Sequence, residues 1–411
     1  MTPHLMEEQM ISPSPTVEGA RCPHFGACNG CQLQNLGYDA QLAQKSERLQ
    51  ALLATADLAL PPVQVHPSPP FGYRNRIRLT LSEMNCQLRA GYLANQQAAA
   101  SNPQLTFLAI AECPIAAPIL WRAAKALIAL LNRRSVIWLE RTPFSFDQLE
   151  LFTTADESQL QVSLYVRTSA KHLPTKFTVQ FASLCESLRE EIPALAGAGI
   201  YLLPPRSARG RRSEQPRLGT AWGSPGVNYA VANLNEQPAT SYWVPRGAFF
   251  QVNRFLLPEL VSLVTNGRRG ELAWDLYAGV GLFTRALAPN FARITAVEVA
   301  EPAFTALASA KLRNRHAIKG ATLDFLRAAV VERDRPDVIV LDPPRTGAGP
   351  EICELLARIA APTVVYVSCS PESLPADLAT LAASGYRVAE LHLLDLFPQT
   401  THIETVTVVT R

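Results

Sequence analysis

Charge is scarce in this 411-residue chain. Asp, Glu, Lys and Arg make up 18% of it, and 38 basic against 35 acidic side chains leave a net charge of +3. That balance gives no overall field for a polyanion, so any nucleic-acid surface has to be a local basic stripe. No apolar run of about 18 residues lacks a charge or a proline, which argues against a membrane span. The first twenty residues have no basic stretch leading into an apolar one, so no secretory signal is read and the cytoplasm is expected. Neither an internal repeat nor a low-complexity tract occurs beyond that leader. Eight cysteines in so long a chain do not read as a disulfide framework, so clustered ones point to metal or catalysis. What is abundant is apolar surface, 48% of residues, which excludes a mainly disordered chain. At ~100–200 residues per domain the length suits two or three domains.

Along the chain, residues 1–20 read as a flexible leader. A cysteine-rich turn follows, Cys22-Pro23-His24-Phe25-Gly26-Ala27-Cys28-Asn29-Gly30-Cys31. Residues 38–55 carry helical spacing, with Leu42, Leu49, Leu52 and Leu53 on one face. From 71 to about 245 the pattern is mostly strands, clearest at 76–81 and 159–166, with a helix at 118–131. Beyond about 246, apolar runs at 272–277, 294–299, 338–341 and 363–368 alternate with helical segments. That alternation predicts a parallel α/β sheet. The segment 402–410 alternates and closes the chain as a strand.

Four motifs fall at ends of these strands. Asp275-Leu276-Tyr277-Ala278-Gly279-Val280-Gly281 follows the first run, where glycine lets the backbone turn tightly and approach a ligand. Glu298, 17 residues past Gly281, ends the next run, where an acid accepts hydrogen bonds from ribose hydroxyls. A third glycine is missing, which disfavours a dinucleotide and favours an adenosine cofactor without pyrophosphate, such as S-adenosylmethionine. Asp342-Pro343-Pro344-Arg345 follows the third run. Cys369, in Ser368-Cys369-Ser370-Pro371-Glu372, ends the fourth. Ser370 reads as a helix N-cap and Pro371 as the first helical residue, which places the thiol in a field that lowers its pKa. Glu404 interrupts the apolar last strand and is a candidate general base, against the alternative of an exposed strand face. Cys22, Cys28 and Cys31 need a fourth ligand, for which Cys113 is the candidate. Four cysteines suit zinc or an iron–sulfur cluster, and spacing does not separate the two. His24 reads as a neighbour, and Cys86, Cys185 and Cys353 as packing residues. The basic stretches Tyr73-Arg74-Asn75-Arg76-Ile77-Arg78 and 206–217 read either as solvated surface or as RNA contacts.

Taken together and in order, these motifs, with Phe249-Phe250-Gln251-Val252-Asn253 and His402-Ile403-Glu404-Thr405, resemble the bacterial RNA 5-methyluridine methyltransferase family, from Cys22 to the C-terminus. The resemblance implies a Rossmann-like class I methyltransferase domain over 241–411, joined to a strand-rich α+β domain over 21–240 that carries the metal site and RNA contacts. It implies that Gln251, Tyr277, Glu298 and Asp342 bind S-adenosylmethionine, and it extends that set, on a looser alignment, to Asp324. Cys369 then matches the nucleophile and Glu404 the base, while Cys22, Cys28, Cys31 and Cys113 match the ligands of a 4Fe–4S cluster. Phe249, Phe250 and Tyr277 become candidates to pack the base or the adenine. Ala278 stands where the family usually has cysteine, and Ser370 where it usually has asparagine. The stretch before Cys22 leaves no room for the oligonucleotide-binding barrel of many relatives, which favours the subgroup resembling the 23S rRNA enzymes.

The expected partner is therefore RNA, 23S rRNA before tRNA, with no membrane and a monomeric enzyme. Two other classes remain: a methyltransferase for another nucleobase atom, and a non-catalytic RNA-binding iron–sulfur protein.

Overall fold

A computed structural model describes residues 19–95, 105–138, 144–205, 216–234 and 239–411. Most of the expected leader and residues 206–215 of the basic 206–217 segment lie outside these described residues.

The chain opens with the cysteine turn, helix α1 (Tyr38–Leu53) and a short strand β1 (Gln64–His66). Strands β2 (Arg76–Met84), β3 (Gln87–Asn95) and β4 (Leu105–Ala109) precede helix α2 (Pro118–Trp138). Strands β5 (Phe144–Thr153) and β6 (Leu160–Thr168), helix α3 (Thr175–Glu191) and strands β7 (Leu195–Leu203) and β8 (Arg217–Gly223) complete this half. They form a seven-stranded sheet in the order β4-β3-β2-β5-β6-β7-β8, antiparallel except for β6 against β7. Helices α2 and α3 cover one face, burying Leu120, Leu127, Phe181 and Leu188 against it. Strand β6 was expected to alternate between core and solvent. Instead Gln161 and Ser163 are buried too, and Gln161 Nε2 donates to the carbonyls of Ser224 and Gly226.

A hairpin, β9 (Gly226–Val231) with β10 (Thr240–Pro245), leads into the second half. There follow α4 (Leu257–Thr265), β11 (Gly270–Leu276), α5 (Leu282–Leu287), β12 (Phe291–Glu298), α6 (Glu301–Ser309), β13 (Arg315–Lys319), α7 (Thr322–Glu332), β14 (Val338–Leu341), α8 (Pro350–Ile359), β15 (Thr363–Ser368), α9 (Leu374–Ala383), β16 (Arg387–Leu394) and β17 (Glu404–Thr410). The sheet order is β1-β16-β17-β15-β14-β11-β12-β13, with β17 antiparallel between β15 and β16. Strand β14 is apolar throughout and wholly buried, as a central parallel strand covered on both faces must be. This is the expected class I methyltransferase sheet, and β17 is the antiparallel insertion expected of the last segment.

The division expected near residue 240 is crossed by the N-terminal region. Strand β1 pairs in parallel with β16, and α1 packs Leu49 and Leu53 into the layer of Trp274 and Tyr366. The buried face of α1 is Gln41, Lys45, Leu49 and Leu53, so Leu49 and Leu53 of the expected leucine face are buried, Leu42 and Leu52 are half-buried, and two polar residues join because they find buried partners. Lys45 Nζ meets Asp395 Oδ1 at 2.6 Å, and Gln41 Nε2 donates to Gln399 Oε1 at 3.0 Å.

Candidate active site

The parallel strands deliver their C-terminal ends to one edge of the sheet, where open α/β folds bind ligands. Asp275 and Tyr277 come from β11, Glu298 from β12, Asp342 from β14 and Cys369 from β15. The antiparallel β17 brings its first residue to the same edge. Ser368 is paired with Thr405, so the next step of the register sets Cys369 opposite Glu404. Two residues 35 positions apart are thus made neighbours by strand direction alone.

The glycine loop has the strain of a ligand-facing turn. Tyr277 has φ 62°, rare for an aromatic residue, and Gly281 has φ 89°. A Cβ on Gly281 would stand 2.9 Å from Leu307 Cδ1, so glycine is needed there for space as well. Glu298 accepts hydrogen bonds from the backbone N–H of Gly279 at 2.8 Å and of Ala300 at 2.6 Å. Its carboxylate is thereby fixed beside the loop.

Gln251 reaches the edge from the segment after β10. Its Nε2 donates to Asp342 Oδ2 at 3.2 Å. The basic motif holds that segment down: Asn75 N–H donates to the Val252 carbonyl, Asn75 Nδ2 to the Gln251 carbonyl, and Arg254 N–H to the Tyr73 carbonyl. Asn253 is buried and caps the turn into α4 through the N–H groups of Phe255 and Leu256. The two motifs are one structural unit.

The arginines of the basic motif belong to that unit. Arg76 pairs with Glu150, donates to the Ala248 carbonyl and lies over the Phe152 ring. Arg78 is half-exposed but also bonded to Glu150. Arg74 lines the cavity of the cysteine turn. Arg76 and Arg78 thus share Glu150 as a protein partner, and of the three arginines Arg78 keeps the most exposed side chain. Phe250 is core, packed on Tyr229, Phe152 and Tyr242, whereas Phe249 is 64% exposed. Asp324 sits in the first turn of α7, largely exposed and 3.6 Å from Arg327. It therefore differs from the other cofactor candidates, which gather at the strand ends. Cys185 and Cys353 are buried as expected, but Cys86 is exposed in the turn between β2 and β3, at φ 58°.

The electrostatics of the edge are those of crowded acids. Burial and the neighbouring Asp275 push Asp342 up to about 7, against the Gln251 hydrogen bond. Burial also lifts Asp275 to about 7, although Thr284 donates to its Oδ2. Asp275 Oδ1 is buried with no partner. Glu404 is raised well above the ordinary glutamate range by burial and Asp342, with Arg345 opposing. Cys369 is pushed up to about 11 by burial, then Glu404, then Asp342, while Arg345 lowers it.

The thiol is thus protonated at rest, contrary to the expected helix-terminus effect. Helix α9 starts at Leu374 with Ser373 as the residue before it, because residues 371–373 form a turn. Cys369 is too far upstream to feel the first helical N–H groups. In front of it opens a cavity of about 320 Å³, lined by Arg48, Arg345, Glu372, Thr401 and His402 among others.

A second cavity, of about 210 Å³, is lined by Cys22, Cys28, Cys31 and Cys113, together with Arg74 and His402. All four thiols are raised first by burial, Cys31 to about 12 and Cys113 to about 11, and each is raised further by other cysteines or Glu112. His24 is a neighbour, its Nε2 accepting the Ala111 N–H at 2.9 Å. Among the described residues, no three His, Cys, Asp or Glu side chains close on a point that would hold a single metal ion. Nor is any described helix long and apolar enough to cross a membrane.

Comparison with known proteins agrees with this geometry. A family model described as tRNA (uracil-5-)-methyltransferase matches residues 231–411. The 23S rRNA (uracil(1939)-C(5))-methyltransferase of Edwardsiella ictaluri is 32% identical, over 96% of this chain and 82% of its own length. The tRNA (uracil(54)-C(5))-methyltransferase of Pyrococcus horikoshii is 27% identical, over 97% and 87%. In fold, the crystal structure of the Pyrococcus abyssi tRNA (uracil-54, C5)-methyltransferase with S-adenosyl-L-homocysteine superposes at a TM-score of 0.66, with 23% identity, covering 94% of this chain and 86% of that one. Identity of this level over nearly the whole length leaves one assignment: the chain belongs to the RNA (uracil-C5)-methyltransferase family.

Proposed function

We propose that this protein methylates carbon 5 of a uridine in RNA, 23S rRNA first, with Cys369 as nucleophile and Glu404 as base. The observation that carries the proposal is a thiol and a buried carboxyl one step past the Ser368–Thr405 pair, close enough for the Glu404 charge to act on Cys369, with Cys369 opening on a cavity lined by Arg48 and Arg345. Carbon 5 of uracil is too weak a nucleophile to take a methyl group unaided. Cys369 loses its proton to water in the cavity as its sulfur bonds to carbon 6 and the carbon 5–carbon 6 π electrons move into the uracil carbonyl, and the resulting enolate makes carbon 5 nucleophilic. Carbon 5 takes the methyl group, Glu404 removes the proton from carbon 5, and elimination frees Cys369. Covalent catalysis splits one hard step into easier ones. The target base has to leave its stack to reach the cavity.

S-Adenosylmethionine supplies the methyl group. The chemistry of the strand edge supports it: Asp275 and Asp342, side by side with raised pKa values and one buried oxygen unpartnered, are relieved by a ligand bearing ammonium and sulfonium charge. Glu298 is our candidate for the ribose, with Gln251, Tyr277 and Asp342 completing the set. Asp324 is the weakest member, given its exposed ion pair.

Cys22, Cys28, Cys31 and Cys113 would hold a 4Fe–4S cluster. What supports the reading is that the four half-buried cysteines line one cavity, a donor set of four thiols that suits an iron–sulfur cluster. The mechanism requires no electron transfer, so its role here is structural. A monomer in the cytoplasm goes with this proposal.

Mass-spectrometric mapping of 5-methyluridine in rRNA and tRNA of a deletion strain and its parent tests the substrate. Loss at one 23S position supports the proposal. Loss in tRNA, the substrate of the Pyrococcus horikoshii relative, keeps the chemistry and moves the substrate. Cys369→Ala is expected to abolish methylation and keep cofactor binding; full turnover would favour another nucleobase atom. Glu404→Gln is expected to accumulate a covalent RNA–protein adduct. RNA binding without methyl transfer by the wild type would favour a non-catalytic protein.

A further inference from the structure

Arg76 and Arg78, two of the arginines expected to hold RNA, are bonded to Glu150, which raises the question of what else receives the backbone of the extruded nucleotide. The cavity beside Cys369 supplies an answer from α1. Arg48 lies on the exposed side of that helix, three residues after Lys45. The Lys45–Asp395 contact and the Gln41 bonds to Gln399 and the Leu33 carbonyl fix the helix against the sheet. Arg48 is thereby held at the cavity with its guanidinium still 45% exposed. Arg345 lines the same cavity. Arg48 bonds there to Glu372 and, at 3.3 Å, to the Thr401 carbonyl. Glu372 is itself 56% exposed, so this ion pair contributes little stability and can be traded.

We propose that Arg48 is a phosphate-binding residue for the target nucleotide, and that Glu372 occupies its guanidinium until RNA displaces it. Two conditions favour the exchange. A guanidinium can pair with a phosphate through two hydrogen bonds, whereas Glu372 holds Arg48 through one, from Nη2 to Oε1. Arg345 in the same cavity adds positive potential for an incoming phosphate, so the phosphate meets two cations where Glu372 is bonded to one. A phosphate held at Arg48 would set its nucleoside over the thiol, because both line one cavity of about 320 Å³. The carboxylate also acts as a filter: an anion too weak to displace Glu372 leaves the entrance closed. The proposal rests on the uridine reading above and specifies how that site takes its substrate.

The test uses full-length protein, S-adenosylmethionine and an unmodified 23S rRNA transcript. Arg48→Ala is expected to raise KM for RNA about tenfold, with kcat within about twofold, and to lower the salt slope of binding by about one. Arg48→Lys is expected to recover part of that loss. Glu372→Gln is the discriminating variant, because it removes the competitor and is expected to lower KM about twofold to threefold. If the pair only braces the turn after Cys369, both variants raise KM or reduce kcat together, and that result overturns the proposal. An unchanged salt slope in Arg48→Ala overturns it as well. Equilibrium binding reads the phosphate contact without turnover. A wild type that binds but never methylates therefore sinks the uridine reading, while the ratio of Arg48→Ala to wild type still decides on Arg48.

Discussion

Cys369 shows how far a residue's neighbours outweigh its motif. The sequence places it before a helix, and a helix terminus lowers a thiol pKa. The turn over 371–373 removes that field, and burial, Glu404 and Asp342 raise the pKa to about 11. Alkylation by iodoacetamide needs the thiolate, so its rate at Cys369 is expected to climb about tenfold per pH unit from 7 to 10. In Glu404→Gln the largest raising charge is gone, so the curve moves to lower pH and the rate at pH 8 increases. An unmoved curve, read by mass spectrometry of the Cys369 peptide, would mean that the carboxyl does not face the thiol. The acids make a second prediction. Asp275 and Asp342 stand near 7, so each is partly protonated at neutral pH. A cationic cofactor favours the carboxylates and lowers both pKa values. Binding S-adenosylmethionine below pH 7 is then expected to release protons, and affinity to rise with pH up to about 7. Calorimetry in two buffers of different ionisation enthalpy measures the release; proton uptake would contradict the placement of the cofactor.

The elements explain which parts of the site were legible. Runs at 338–341 and 363–368 were read to the residue as strands, because a buried parallel strand is an unbroken apolar stretch. The strand-end acids followed from them. Helix α1 is legible with Leu49 and Leu53 on its buried face, but hydrophobic spacing cannot see that Lys45 and Gln41 join that face through buried partners 350 and 358 residues away. The partners of Arg76 and Arg78, Glu150 and the Ala248 carbonyl, are invisible to local sequence for the same reason. Burial of the Lys45–Asp395 pair, with side chains 2% and 0% exposed, makes α1 a point of failure. Lys45→Ala leaves a charge without its partner inside the protein and is expected to cost about 3–5 kcal/mol. Thermal melts and urea titration would measure it. A loss below 1 kcal/mol would show that water reaches Asp395. Replacing the exposed neighbour Glu47, by contrast, should change stability by less than about 0.5 kcal/mol.

At the scale of the whole molecule, the cysteine turn and the catalytic edge are joined by one loop. The Gln32 and Leu33 N–H groups both donate to the Gln399 carbonyl at 3.0 Å, and Tyr73 Oη donates to the Pro398 carbonyl. His402 lines the cysteine cavity and the Cys369 cavity at once, two residues before Glu404. The two cavities therefore share one wall segment. Neither spacing nor motif could say so, since the connection is made through backbone carbonyls of the 397–402 segment. If four cysteines hold a 4Fe–4S group, anaerobically purified protein is expected to carry about four iron and four sulfide per chain and a broad visible absorbance. Cys31→Ala is then expected to lose both, and to lose hydrogen-exchange protection in two places, 22–34 and 397–403. The β2–β8 sheet, which Cys28 and Cys113 touch only from outside its buried core, should keep its protection. Protection lost across the entire first half would mean that the cysteines hold the domain, not the loop. Full zinc occupancy without colour would refute the cluster itself. Loss confined to the two predicted segments would make the cysteine turn the anchor of the strand that bears the base, giving a redox-inert cluster a direct bearing on methyl transfer.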